Sequence, residues 1–92
     1  MKLGVNIDHI ATLRNARGQN NPNILRALKI CEKSNVNTLT IHLREDRRHI
    51  KDKDLIHLKK YSSLPINLEM ALTDEMIGIA RKIKPSFICL VP

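Results

Sequence analysis

Thr38-Leu39-Thr40-Ile41-His42-Leu43-Arg44 alternates strictly between apolar and polar residues. Successive side chains of a strand point to opposite sides. Leu39, Ile41 and Leu43 therefore share one face, and Thr38, Thr40, His42 and Arg44 the other, which predicts a half-buried β-strand. The same alternation recurs on both sides of it. Leu3, Val5 and Ile7 alternate with Gly4, Asn6 and Asp8, and Ile66-Asn67-Leu68-Glu69-Met70 sets Asn67 and Glu69 on a polar face. A fourth run, Phe87-Ile88-Cys89-Leu90-Val91, is apolar throughout, as expected of a buried parallel strand.

Helical patterns separate these strands. Asn21-Pro22 reads as a cap followed by proline in the first turn, with Ile24, Leu25, Leu28 and Cys31 at helical spacing behind it. Ser34-Asn35 ends that helix, asparagine being able to take the left-handed conformation. Asp52 or Asp54 caps a second helix carrying Leu55, Ile56, Leu58 and Tyr61. Thr73 caps a third, with Asp74 and Glu75 in its first turn, Arg81, Lys82 and Lys84 in its last turn, Pro85 as its stop, and Met76, Ile79, Ala80 and Ile83 as its buried stripe. The stretches 14–23 and 45–53 are charged or rich in Gly and Asn, and both are expected to be loops.

The resulting order is β-α-β-α-β-α-β, an α/β pattern whose strands pair in parallel through right-handed crossovers. An open doubly wound sheet and a closed (β/α)8 TIM barrel both satisfy it. Three strands carry a polar face ending in an ionisable group, at Asp8, Arg44 and Glu69. A barrel turns such a face inward and places strand C-termini at an active-site rim, whereas both faces of an open sheet meet helices. The barrel is the preferred architecture. A whole barrel needs about 250 residues, so residues 1–92 are expected to form the N-terminal half of one barrel domain, with four strands and three helices.

Composition narrows the partners. The net charge of +7 attracts anions. Aromatic residues make up only 2%, Tyr61 and Phe87 alone, which leaves almost no platform for stacking bases. Small phosphorylated molecules are therefore preferred to nucleic acid. No apolar run approaches the roughly 18 residues of a membrane span, and the N-terminus turns polar too early for a signal peptide. A cytoplasmic protein without membrane partners is expected. Cys31 and Cys89 lie far apart inside apolar patterns and read as reduced core thiols.

The strand ends concentrate the groups able to do chemistry. Asn6, Asp8 and His9 close the first strand, His42 and Arg44 the second, and Glu69 the third. A His and a Glu meeting at one rim can act as an acid/base pair. Arg17, Arg44 and His49 can hold phosphate, arginine through its bidentate fork. Each has a plainer reading: an internal Asp8–Arg44 salt bridge, a structural inward histidine, and a solvated loop across the charged run after Arg44. Asp8, His9, His42 and Glu69 are also possible metal ligands, but nearby basic residues oppose a divalent cation. No metal and no cofactor is expected.

Longer blocks carry a resemblance. Gly4-Val5-Asn6-Ile7-Asp8-His9-Ile10-Ala11-Thr12-Leu13-Arg14-Asn15-Ala16-Arg17-Gly18 resembles the opening motif of the pyridoxine 5'-phosphate synthases. His42 to Ile50, Asn67 to Ala71, and Lys84 to Pro92 resemble the family's later signatures, in the same order across the entire chain. The resemblance implies a transferase of vitamin B6 biosynthesis that condenses 1-deoxy-D-xylulose 5-phosphate with 3-amino-2-oxopropyl phosphate. It implies that Asn6 and Arg17 bind the amino-ketone phosphate, and that Asp8, His9, Arg44 and His49 bind the deoxyxylulose phosphate. His42 and Glu69 become the acid/base residues. It also implies a homo-oligomer, and a second half of the barrel that supplies a further catalytic histidine and phosphate-binding glycine loops.

Overall fold

A computed structural model describes residues 2–18 and 20–92. The elements are β1 (Gly4–Asn6), α1 (Asp8–Arg17), α2 (Ile24–Lys33), β2 (Thr38–His42), α3 (Asp52–Tyr61), β3 (Ile66–Met70), α4 (Asp74–Ile83) and β4 (Phe87–Leu90). All neighbouring strands are parallel, and the sheet order is β1-β2-β3-β4. Strand order thus follows chain order, without the reversal that marks a doubly wound sheet.

One face of the sheet is the core. Leu39, Ile41 and Leu43 from the β2 segment and Ile66, Leu68 and Met70 from β3 are buried, together with Leu28 of α2, Leu55 and Leu58 of α3, and Met76 of α4. The intervening strand residues Thr38, Thr40, His42, Asn67 and Glu69 are only half-buried, on the opposite face. The alternation read in the sequence is the alternation of burial.

Several expectations need correction. Among the described residues there are four helices rather than three, because residues 8–17, which include part of the expected 14–23 loop, form α1. This helix buries only Asp8 and Ala11, so it has no apolar stripe to betray it. Its inward face is polar instead, and it ends at Gly18, whose φ of 65° is the left-handed conformation glycine adopts without steric cost. The cap of α2 is Asn23, not Asn21: the Asn23 side chain accepts the Leu25 N–H at 2.8 Å, and Pro22 precedes the helix. Helix α3 begins two residues inside the expected 45–53 loop. Asp52 does not cap it; Asp54 accepts the Lys51 N–H at 2.9 Å from the third helical position.

The C-terminal end of α2 and the N-terminal end of α4 agree with their sequence signals, while Lys84, expected in the last turn of α4, is its left-handed C-cap. Asn35 is left-handed, and Thr73 Oγ1 accepts the Met76 N–H at 3.2 Å. Strand β4 is the largest departure. Phe87, Ile88, Cys89 and Leu90 are all exposed, because among the described residues β4 is an edge strand paired only with β3. Cys89 is consequently not a core thiol, whereas Cys31 is buried. No helix among the described residues is long and apolar enough to cross a membrane.

Candidate functional site

Register builds the site. Asn6 lies opposite Thr40, Thr40 opposite Asn67, and His42 opposite Glu69, all on the half-buried face. Cys89 lies opposite Glu69 at the same level. Parallel pairing thereby delivers the polar ends of three strands to one edge of the sheet.

Asp8 joins them from the first turn of α1, not from β1 as its place in the alternation suggested. The chain turns sharply there, and Asn6 makes the turn. Asn6 Oδ1 accepts the Asp8 N–H at 2.7 Å, and Asn6 Nδ2 donates to Asp8 Oδ2 at 3.1 Å. The other oxygen, Asp8 Oδ1, accepts the His42 backbone N–H at 2.9 Å. Both oxygens of this buried carboxylate are thus engaged, and Asp8 ties α1 to β2. Asn6 Nδ2 also lies 3.5 Å from Glu69 Oε1. Ligand atoms of Asp8, His42 and Glu69 all fall within 4.8 Å of one another. His9, the fourth residue considered as a metal ligand, is outside this group.

The plainer reading of Asp8 and Arg44, an internal salt bridge, is not the arrangement found among the described residues. Arg44 instead lies beside Asp46, with Nε 3.4 Å from Oδ1. The contact is poorly aligned, and the buried Arg44 Nε has no hydrogen-bond partner among the described residues. A buried unpaired donor costs about 1–3 kcal/mol, so this atom is poised for an acceptor. It stands at a hollow of about 240 Å³ lined by His42, Leu43, Arg44, Glu45, Asp46, Ala71 and Pro92. A larger hollow, of about 570 Å³, lies elsewhere, between Gly18, the start of α2 and the start of α3. It contains neither His42 nor Glu69.

His9 and His49 form a second pair at the rim, their ring centroids 5.7 Å apart and their planes at 62°. Polar residues of α1 that the sequence reading passed over hold His49 there. Thr12 Oγ1 contacts His49 Nδ1, and Asn15 Nδ2 donates to the carbonyls of Arg48 and His49 at 3.2 and 2.9 Å. Asp8, Thr12 and Asn15 recur at intervals of four and three, the spacing of one helix face. That polar periodicity was the available signal for α1. Below them Arg14 forks onto Asp54 at 2.5 and 2.8 Å, a buried ion pair joining α1 to α3. Arg17 is not brought to the cluster. It lies exposed at the far end of α1, nine residues and so about 14 Å along the axis from Asp8.

The loop between β2 and α3 is clasped by Arg47, which donates to the carbonyls of Arg44 and Glu45 and to the Asp52 and Glu75 carboxylates. The bond from Arg47 holds the Asp52 carboxyl below its ordinary value of 3.8. A depressed carboxylate adds stability above that value and loses it as pH falls through the folded-state value. Asp52 is half-exposed, so the contribution is small, under about 1 kcal/mol. Arg47→Ala should therefore lower the urea midpoint slightly at neutral pH, and its cost should shrink as pH falls below 3.8. An equal cost at pH 7 and in acid would show that the pair is not responsible.

A parallel α/β sheet with a polar cluster at its strand ends, beside a hollow bearing an unpaired arginine donor, defines a protein suited to acid/base chemistry on a small anion. Comparison with known proteins specifies it. Residues 3–92 match the model of the family described as "Pyridoxal phosphate biosynthesis protein PdxJ", and the chain belongs to that family. It is 59% identical over 90 residues to a protein of Aliivibrio fischeri named pyridoxine 5'-phosphate synthase. Proteins of the same name from a Wolbachia pipientis strain and Anaplasma phagocytophilum are 58% and 54% identical over 92 residues. These alignments cover 98–100% of the chain, but only 37–40% of the relatives' length.

Proposed function

We propose that this chain supplies the N-terminal half of the active site of a pyridoxine 5'-phosphate synthase, built as the first four strands of a (β/α)8 barrel. The enzyme condenses 1-deoxy-D-xylulose 5-phosphate with 3-amino-2-oxopropyl phosphate, giving pyridoxine 5'-phosphate, phosphate and water. It is a cytoplasmic homo-oligomer whose partners are these small phosphorylated substrates. The observation carrying this reading is the in-register pairing of His42 with Glu69, with Asp8 completing a group whose ligand atoms lie within 4.8 Å.

The chemistry asks for groups that give and take protons repeatedly during Schiff-base formation, dehydration and ring closure. His42 and Glu69 supply them, being half-buried and so reachable by substrate. Arg44, with its unpaired Nε, and the His9–His49 pair bind the deoxyxylulose phosphate. Asp8 belongs to the same subsite and also anchors the turn through its bond to the His42 N–H. Asn6 binds the amino-ketone phosphate together with Arg17, which requires the far end of α1 to be approached by substrate or by a neighbouring subunit. Condensation with loss of phosphate and water calls for acids, bases and anion-binding groups, and for no metal or cofactor.

The test joins this chain to the C-terminal portion of the Aliivibrio fischeri relative, giving a completed enzyme. Pyridoxine 5'-phosphate should form from the two substrates, and a Glu69→Gln version should be slower by about 10²-fold or more. A folded completed enzyme that makes no product would defeat the proposal.

The exposed apolar residues Phe87, Ile88 and Leu90 on the unpaired edge of β4 favour a second reading, a self-associating half-barrel without activity. Two copies could then pair β4 of each with β1 of the other. Light scattering that finds the 92-residue chain a monodisperse monomer would dispose of it.

A further inference from the structure

We propose that Thr12 is a positioning residue that fixes His49 in the tautomer carrying its proton on Nδ1, so that Nε2 is the ring atom offered to substrate. The single hydroxyl hydrogen of Thr12 sets the tautomer. Thr12 Oγ1 lies 3.1 Å from the Asp8 carbonyl oxygen, one helical turn back, and in contact with His49 Nδ1. A threonine hydroxyl donates once and accepts through its lone pairs. If the hydroxyl donates to the Asp8 carbonyl, Nδ1–H can donate to Oγ1, and both contacts are hydrogen bonds. If the hydroxyl donates to Nδ1 instead, the contact with the Asp8 carbonyl has no hydrogen in it. The first arrangement makes one bond more, and it requires the Nδ1–H tautomer.

Neighbouring groups hold the residue in place beside Thr12. Asn15 holds the His49 carbonyl, and the His9 ring meets the imidazole at 62°. Thr12 therefore links the Asp8 backbone to His49 as one relay along the inner face of α1. A phosphate dianion offers only acceptors. His49 meets it when the ring carries its second proton, donating from Nδ1 to Thr12 and from Nε2 to the phosphate, a charge-assisted bond of fixed direction. This consequence rests on the substrate-binding role proposed above for His49, whereas the tautomer does not.

Long-range proton–nitrogen correlation on protein labelled with 15N-histidine reads the tautomer of each of the four histidines. In the neutral ring, His49 should show protonated Nδ1 and unprotonated Nε2. Thr12→Val should move the His49 tautomer ratio by roughly two- to tenfold, the worth of one hydrogen bond. His42 and His57 should not change, and Thr12→Ser should keep the original state. In the completed enzyme Thr12→Val should raise KM for the deoxyxylulose phosphate more than it lowers kcat. A wild-type His49 protonated on Nε2 overturns the inference, whether or not Thr12→Val folds. So does a Thr12→Val protein whose His49 tautomer is unchanged. A tautomer that shifts as expected while KM does not would support the role of Thr12 and count instead against His49 as a substrate ligand.

Discussion

His42→Ala in the completed enzyme lowers kcat by about 10²–10⁴-fold, the usual contribution of a positioned general acid or base. The fold should survive the change. The bond that ties β2 to α1 runs from the His42 backbone N–H to Asp8, and alanine retains that N–H. The imidazole itself lies on the half-buried face opposite Glu69, outside the packed layer of Leu39, Ile41 and Leu68. The loss should therefore appear in kcat at saturating substrate, with circular dichroism and the unfolding midpoint close to the parent. A rate within about threefold of the parent would mean that the imidazole moves no proton in the slow step.

Asp54→Ala destabilises the protein by about 3–5 kcal/mol, the cost of stranding a charge by removing its buried partner. The Arg14 and Asp54 side chains are only 11% and 3% exposed, and the guanidinium holds both carboxylate oxygens. The same carboxylate accepts the Lys51 N–H, so alanine also removes the cap of α3. Arg14→Met combined with Asp54→Leu should recover much of the loss, because the apolar pair strands no charge. Urea unfolding of the two variants beside the parent measures both effects. A loss below about 1 kcal/mol for Asp54→Ala would mean that water reaches the pair. The pair has a functional side, since it fixes α1, which carries Asp8, Thr12 and Asn15, against the scaffold.

Strands β2 and β3 were legible because their alternation is dictated by a face that meets helices and a face that does not, and Glu69 and His42 could be placed from period alone. The caps at Thr73 and Asn35 were legible because they are local. Helix α1 was not, because a helix packed on polar neighbours has no apolar period to read. Its partners, His49, Arg48 and Asp54, lie 33 to 40 residues away in the chain. The fate of β4 was hidden for a related reason. An apolar run states a preference for burial, but sheet order decides whether a neighbour is present to satisfy it. The spatial distance of Arg17 from Asp8 likewise follows from α1 being a helix, and a loop assignment could not reveal it.

The central claim is that strand pairing makes His42 and Glu69 one acid/base unit, and a double-mutant cycle on kcat in the completed enzyme tests it most directly. His42→Ala, Glu69→Gln and the double variant would be measured beside the parent. Residues acting as a unit lose most of their effect together, so the double variant should be little slower than the slower single one. Losses that multiply in full, or single variants that turn over at the parent rate, would contradict the account.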